Sequence, residues 1–197
     1  MDEMKSAYEI AMEKAERLGR PSEEDVNKWK YVPQGQEIAL GYLKNERNLV
    51  AELGNYDEDV RRHVIAGAQE ILLRNIDIPR NDSVKKSNKR AMEGIKALKS
   101  DKASIENVYS KMRRIFEHYE QQGEQQRKQA YEDLKMDFEQ RLEQALRQQQ
   151  MGVPARGMVN VEAQPQFQEE WRRTLLQLDS QYHKLLDEYK QEILASP

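Results

Sequence analysis

The chain has 197 residues, of which 38% are hydrophobic and 34% are charged, and its formal net charge is −3. Soluble domains average about 45–50% apolar and about 25% charged residues, so this composition favours helices with one narrow buried face over a domain with a thick core. The chain has no cysteine, which excludes disulfides, thiolate metal sites and cysteine nucleophiles. It also has no apolar run of the ~18 residues that a membrane-spanning helix needs, and we expect a cytoplasmic protein.

Apolar residues recur at spacings of three and four from the start of the chain, which predicts amphipathic helices and no strand. The first such pattern covers residues 2–18. Ser22 is the predicted N-cap of a second helix, and we expect Pro33 and Gly35 to break that helix. One helical face of the first pattern carries Met4, Tyr8, Met12, Ala15 and Leu18.

Turn-forming residues separate the helices that follow. A helix over about 35–53 should end in a left-handed cap at Gly54 or Asn55, and Asp57 should cap the next helix. Residues 76–82 are predicted to form a loop, because Pro79 biases the residue before it towards an extended backbone. Ser83 should then cap a helix that ends near Leu98, and Ser100 or Asp101 should cap another.

The character of the sequence changes near Gly123, where a glutamine-rich stretch without apolar side chains begins. We therefore predict an all-α protein with an N-terminal helical bundle over 1–122 and a helical hairpin over 123–197. Residues 124–150 and 166–195 would form helices of about 40–45 Å, a match in length that favours antiparallel pairing with 151–165 as the loop. Whether Gly123 interrupts the longer helix is left open by the sequence.

The final helix carries a coiled-coil pattern, because its large apolar residues are separated alternately by four and three positions. Tyr131 and Phe138 lie on the narrow apolar stripe of the preceding helix. Two helices cover such large aromatic residues poorly, so we expect a second copy of the chain to complete the surface as a homodimer. The pattern in the final helix consists of Trp171, Leu175, Leu178, Tyr182, Leu185 and Tyr189.

The loop at 151–165 combines glycines and prolines with an unusual number of apolar side chains. Exposed apolar clusters usually mark contact sites, and methionine suits an adaptable contact surface. We therefore expect the loop to contact the N-terminal bundle, another copy of the chain or a separate protein partner. The apolar residues concerned are Met151, Val153, Met158, Val159 and Val161.

The sequence contains few residues that suggest a metal, cofactor or catalytic site. Asp59 precedes His63 by four residues, and Asp179 precedes His183 by four, which places each pair on one helical face, where a metal site is conceivable. In the final helix, however, Asp179 and His183 fall at outward positions of the coiled-coil pattern, which indicates a solvated polar pair. Phosphate-binding glycine motifs are missing too, so we predict no catalytic residue, no cofactor and no metal site.

The most basic segment is 80–102, which contains eight lysine or arginine residues and three acidic ones. Such a helix could bind nucleic acid phosphates, but it has no interleaved aromatic residue on which bases would stack. We therefore expect a solvated face rather than a nucleic-acid site.

These patterns favour a non-enzymatic protein–protein interaction or scaffold protein that self-associates through its C-terminal hairpin. Two alternatives remain open: a nucleic-acid-associated protein that uses the 80–102 helix, and an enzyme whose site the sequence does not reveal.

Overall fold

The structure is a computed structural model that describes residues 21–148 and 160–197. Every regular element in these two ranges is helical, which confirms the all-α class. No helix there is both long enough and apolar enough to span a bilayer. The helix predicted over 2–18 lies outside the described residues. The helices are α1 (Glu23–Leu43), α2 (Leu49–Leu53), α3 (Glu58–Arg74), α4 (Asp82–Leu98), α5 (Lys102–Gln148) and α6 (Pro165–Ala195), with a 3-10 helix at Val161–Ala163.

The chain forms two compact units. The first comprises the residues up to Asn75 together with Arg90–Leu98, and the second comprises Ile76–Lys89 and Lys99–Pro197. This division differs from the boundary that the glutamine-rich composition indicated near Gly123. Helix α5 passes through Gly123 without interruption, so residues 102–122 belong to the same helix as the glutamine-rich stretch.

In the first unit, α1 begins at the predicted position but ends later than the predicted break at Pro33 and Gly35. The Ser22 hydroxyl accepts a hydrogen bond from the Asp25 amide, and the Asp25 carboxylate accepts one from the Ser22 amide, which completes a capping box. The predicted break is wrong, because α1 continues through Pro33 and Gly35 as far as Leu43.

The reason for this continuity is the close crossing of α1 and α3. A Cβ atom on Gly35 would lie 1.9 Å from the carbonyl oxygen of Val64, and one on Gly67 would lie 2.0 Å from the carbonyl oxygen of Val32. The two helices therefore touch backbone to backbone. Packing of this kind offsets the roughly 3 kcal/mol that a proline costs inside a helix.

The turn after α1 also differs from the prediction. Asn45 adopts the left-handed conformation, with φ of 62°, and Asn48 then caps the short α2 by accepting a hydrogen bond from the Ala51 amide at 3.2 Å. The single helix predicted over 35–53 is therefore two helices. Gly54 does not supply a left-handed cap, because its φ is −64°.

The second half of α4 completes the core of the first unit. Ala91 and Ile95 are fully buried. Arg90 lies over the Tyr42 ring, with its Cζ atom 3.8 Å from the centroid, and it donates a hydrogen bond to the Tyr42 carbonyl at 3.1 Å.

The second unit begins with the loop that the sequence predicts before α4. Asn88 holds this loop, because its side-chain oxygen accepts a hydrogen bond from the Asp77 amide at 2.9 Å and its side-chain nitrogen donates one to the Asp77 carbonyl at 2.6 Å. Asn81 caps α4, accepting a hydrogen bond from the Val84 amide, so the prediction of Ser83 as the cap is wrong. Asp101, one of the two predicted N-cap residues, caps α5.

Helices α5 and α6 form the predicted antiparallel hairpin, in a different register. Lys111 near the start of α5 pairs with Glu192 near the end of α6 at 2.7 Å, and Arg141 pairs with Glu170 at 2.9 Å. Helix α6 thus lies beside α5 from near Lys111 to near Arg141, rather than along 124–150. Matching the lengths of 124–150 and 166–195 gave the wrong register because α5 starts at Lys102.

Candidate interaction surface on the helical hairpin

The buried stripe of α6 is rotated relative to the predicted pattern. Asp179, Leu186 and Ile193 are buried at intervals of seven residues, together with Phe167. Leu185, a predicted core position, is 38% exposed. The half-buried members of the predicted pattern are Trp171, Leu175, Leu178, Tyr182 and Tyr189.

The sequence pattern predicts the wrong environment for Asp179. Its side chain is 8% exposed, and its Oδ2 atom lies 3.4 Å from the Arg80 guanidinium. Its Oδ1 atom lies 4.0 Å from Arg127 Nη1. The predicted solvated position is therefore incorrect. A buried carboxylate needs nearby cations, and these come from α5 and from the loop before α4, which the periodicity of α6 alone does not reveal.

His183 continues this polar network instead of forming a metal site with Asp179. The His183 Nε2 atom lies 3.1 Å from the Arg80 guanidinium, and its Nδ1 atom lies 3.5 Å from the Asp77 carboxylate. Across the described ranges, no group of three or more histidine, aspartate or glutamate side chains is placed so that it could hold a metal ion. The arrangement is that of a structural ion network that fastens the 76–81 loop to the hairpin.

The predicted aromatic residues pack against one another within one chain. Tyr131 contacts Phe167 and Trp171 edge to face, with centroids 5.5 and 5.1 Å apart, and Phe138 contacts Phe167 at 5.7 Å. Sequence reasoning missed Phe167, although it is 2% exposed, because it lies outside the spacing of the coiled-coil pattern. Tyr131, Phe138 and Trp171 therefore stabilise the hairpin itself, and they give no separate reason to invoke a second copy.

The described end of the connecting loop also packs on its own hairpin. Val161 is 2% exposed, and the neighbouring Glu162 carboxylate pairs with Lys135 at 2.7 Å. The hydrogen bonds from Lys135 and Tyr131 hold the pKa of Glu162 below its usual range. The sequence predicted contact with the N-terminal bundle, another copy or a partner, whereas Val161 is buried in a 3-10 helix that packs on α5 and α6 of its own hairpin. Met151, Val153, Met158 and Val159 lie outside the described residues.

An open groove of about 1070 Å³ runs along one side of the hairpin. Two predicted contact residues, Leu178 and Tyr182, meet Ile115 and His118 in it. The side chains of both helices supply its walls, and the groove spans about 18 Å of α5 at 1.5 Å per residue. Its lining consists of Arg114, Ile115, His118, Gln126, Thr174, Gln177, Leu178, Ser180, Gln181, Tyr182 and Leu185.

Tyr182 forms the floor of this groove. Its hydroxyl is hydrogen-bonded to His118 Nδ1 at 2.8 Å, its ring contacts Tyr119 edge to face at 5.0 Å, and burial raises the pKa of its phenol. A Cβ atom on Gly123 would lie 3.0 Å from the Tyr182 hydroxyl. The glycine thus leaves space for this tyrosine, which is a reason for its presence inside a continuous helix.

The lining of the groove is almost uncharged. Charged residues make up 34% of the chain, but Arg114 is the only lysine, arginine, aspartate or glutamate among the eleven lining residues. An apolar floor with neutral polar walls is typical of the central part of a protein–protein interface, where charged residues are depleted.

A family model described as "Family of unknown function (DUF6657)" matches residues 50–195. The chain belongs to this family. The DUF6657 match covers α3, α4, α5 and the 3-10 helix and ends with α6, so it includes the hairpin and its groove, whereas α1 lies before it. None of the curated proteins and none of the solved structures compared with the chain matches it.

Proposed function

We propose that this DUF6657 protein is a non-enzymatic interaction protein that self-associates through the groove between α5 and α6. The observation that carries the proposal is the apolar floor of this groove, with Leu185 38% exposed at its edge. Removing an apolar side chain from water stabilises association in proportion to the area buried, at roughly 25 cal/mol per Å².

The distribution of charge supports a second copy of the chain as the occupant. In a two-fold symmetric interface, residues near the axis face their own counterparts, so a charged residue there meets a like charge. Gln126, Gln177 and Gln181 line the groove and avoid this repulsion, because their side chains are neutral. Two hairpins that meet groove to groove would form an antiparallel four-helix arrangement.

The contacts of the basic segment speak against nucleic-acid binding, the alternative function. Arg80 pairs with Asp179, Lys85 pairs with Glu120 at 2.5 Å, and Lys99 donates a hydrogen bond to the Ser196 carbonyl. Cations engaged in contacts of this kind are less available to phosphates, since binding would have to replace those contacts.

Cross-linking through single cysteines tests the proposal, because the chain has no cysteine of its own. Gln181→Cys places a thiol in the groove, whereas Leu176→Cys places one on the same helix at a position that is 62% exposed and outside the groove. With a short bifunctional maleimide, Gln181→Cys should yield covalent dimers faster than Leu176→Cys at equal concentration. Equal rates for the two variants would contradict self-association through the groove.

A further inference from the structure

One face of α1 is apolar and exposed. Val26 is 46% exposed, Trp29 67% and Leu40 46%, and Pro33 is exposed between them. At roughly 100° per residue these four lie about 120–180° around the helix from Gly35, which contacts α3. We call this surface the α1 outer face. A large aromatic residue on such a face is typical of a contact site.

Charged residues of alternating sign run along one edge of the α1 outer face. Glu23, Lys30, Glu37 and Lys44 follow one another at intervals of seven residues, and each of them is exposed. Two turns of an α-helix take about seven residues, so the four lie along one side of α1. Glu37 also pairs with Arg47 of its own chain at 2.9 Å, but the Glu37 side chain is still 68% exposed. Its carboxylate is therefore accessible to another molecule.

This order of charges is complementary to itself when two copies of α1 run antiparallel. With a two-fold axis between the levels of residues 33 and 34, Lys30 of each copy lies level with Glu37 of the other. Glu23 of each copy then lies level with Lys44 of the other. A parallel pair would instead set every charge against its own counterpart. Charged residues beside an apolar seam determine the orientation of paired helices, and here they favour the antiparallel one.

The apolar residues fit the same two-fold axis. Val26, Pro33 and Leu40 are also spaced by seven residues, so Pro33 lies next to the axis. Val26 of one copy comes within one residue, about 1.5 Å along the helix, of the level of Leu40 of the other copy. Trp29 comes within two residues, or about 3 Å, of the level of that leucine, a distance that an indole spans. One axis thus serves both the charged and the apolar residues.

We propose that the α1 outer face binds the same face of a second copy in antiparallel orientation, with Lys30 of each copy paired to Glu37 of the other. This contact is separate from the groove between α5 and α6 and does not depend on it. Two different two-fold contacts on one chain would join hairpin dimers into larger assemblies. Two single helices that meet over about 21 Å bury less than the roughly 1,200–2,000 Å² of a stable interface. We therefore expect this contact at higher protein concentration than the hairpin dimer.

Cross-linking of the full chain in a Leu185→Glu background tests the contact, because we expect no association through the groove there. Pro33→Cys places a thiol next to the proposed axis. Lys28→Cys is the control, because Lys28 is also exposed but lies about 140° around α1 from Pro33. With a short bifunctional maleimide, Pro33→Cys should yield covalent dimers about tenfold faster than Lys28→Cys. Equal rates would overturn the proposal, since the occupant of the face would then be another part of the chain or a different protein.

Charge reversal tests whether the partner is a second copy in the antiparallel orientation. Added to the Pro33→Cys chain, Lys30→Glu sets two carboxylates against each other at each symmetric pair, and Glu37→Lys does the same with two cations. Each variant alone should therefore cross-link about tenfold more slowly than its parent. An equimolar mixture of the two variants should regain most of the parent rate, because every pair then joins a carboxylate to an ammonium group. A mixture that cross-links as slowly as the separate variants would overturn the proposal.

Discussion

The carboxylate of Asp179 lies 3.4 Å from the guanidinium of Arg80, and the side chain of Asp179 is 8% exposed. This pair joins α6 to the loop before α4. Arg127 strengthens the arrangement, because its Cζ atom lies 4.0 Å from the centroid of the Tyr119 ring and it donates a hydrogen bond to the Tyr119 carbonyl at 3.2 Å. A charged network therefore occupies the position at which a regular coiled coil has an apolar residue.

Arg127→Ala should lower the free energy of unfolding by about 3 kcal/mol, because it leaves the buried carboxylate of Asp179 with less compensating charge. The neighbouring Lys128 offers a matched control. It is 74% exposed and pairs with Glu124 one turn away, so Lys128→Ala should cost about 0.5 kcal/mol or less. Urea denaturation measures both. Similar losses for the two variants would show that the network around Asp179 adds no particular stability.

Gly67→Ala should destabilise the first unit by about 3 kcal/mol or more, because the added Cβ would overlap the Val32 carbonyl oxygen, a backbone atom that cannot move aside. Gly54→Ala is the control. Its φ of −64° suits alanine, and its Cβ would lie 3.3 Å from the nearest backbone oxygen, so the change should stay within about 1 kcal/mol. Thermal unfolding followed by circular dichroism distinguishes the two outcomes. A Gly67→Ala variant as stable as Gly54→Ala would refute the close crossing of α1 and α3.

Docking of the 3-10 helix at Val161–Ala163 should weaken at acid pH. The pKa of Glu162 is lowered in the folded chain by Lys135 and Tyr131. The contribution of Glu162 is therefore present above the ordinary glutamate pKa of 4.5 and is lost as the pH falls through the lower folded-state value. Hydrogen exchange at the Ala163 and Gln164 amides should accelerate over that range beyond the intrinsic pH effect. Glu162→Gln should remove this dependence. An identical pH profile in the variant would show that the ion pair does not hold the 3-10 helix.

Much of the helical structure follows from local sequence. The Ser22 cap, the loop around Pro79 and a cap of α5 at Ser100 or Asp101 depend on short-range chemistry, and the sequence predicts each of them. The break predicted at Pro33 fails because the contact that overrides it, Gly35 against α3, lies far away in the chain. Propensity gives way to tertiary packing at such a position.

The candidate groove could be predicted only in part. Leu178 and Tyr182 were among the predicted contact residues, but the search for apolar residues alone gave α6 the wrong buried face. When Asp179 is included, residues 179, 186 and 193 form a series at intervals of seven, and this series is the buried face of α6. The sequence offered no means of knowing that Asp179 would be neutralised by Arg80, a residue about 100 positions earlier.

Sedimentation equilibrium of the unmodified chain tests the proposed self-association most directly, with Leu185→Glu and Leu176→Glu as the matched variants. Leu185 lines the groove and Leu176 lies outside it, so a carboxylate at position 185 would have to lose its hydration when two grooves meet, whereas one at position 176 would not. We predict twice the 23.2 kDa of one chain for the unmodified protein and for Leu176→Glu, and the mass of one chain for Leu185→Glu. An unmodified protein with the mass of one chain at every concentration, or a Leu185→Glu variant that associates as tightly as Leu176→Glu, would contradict the proposal.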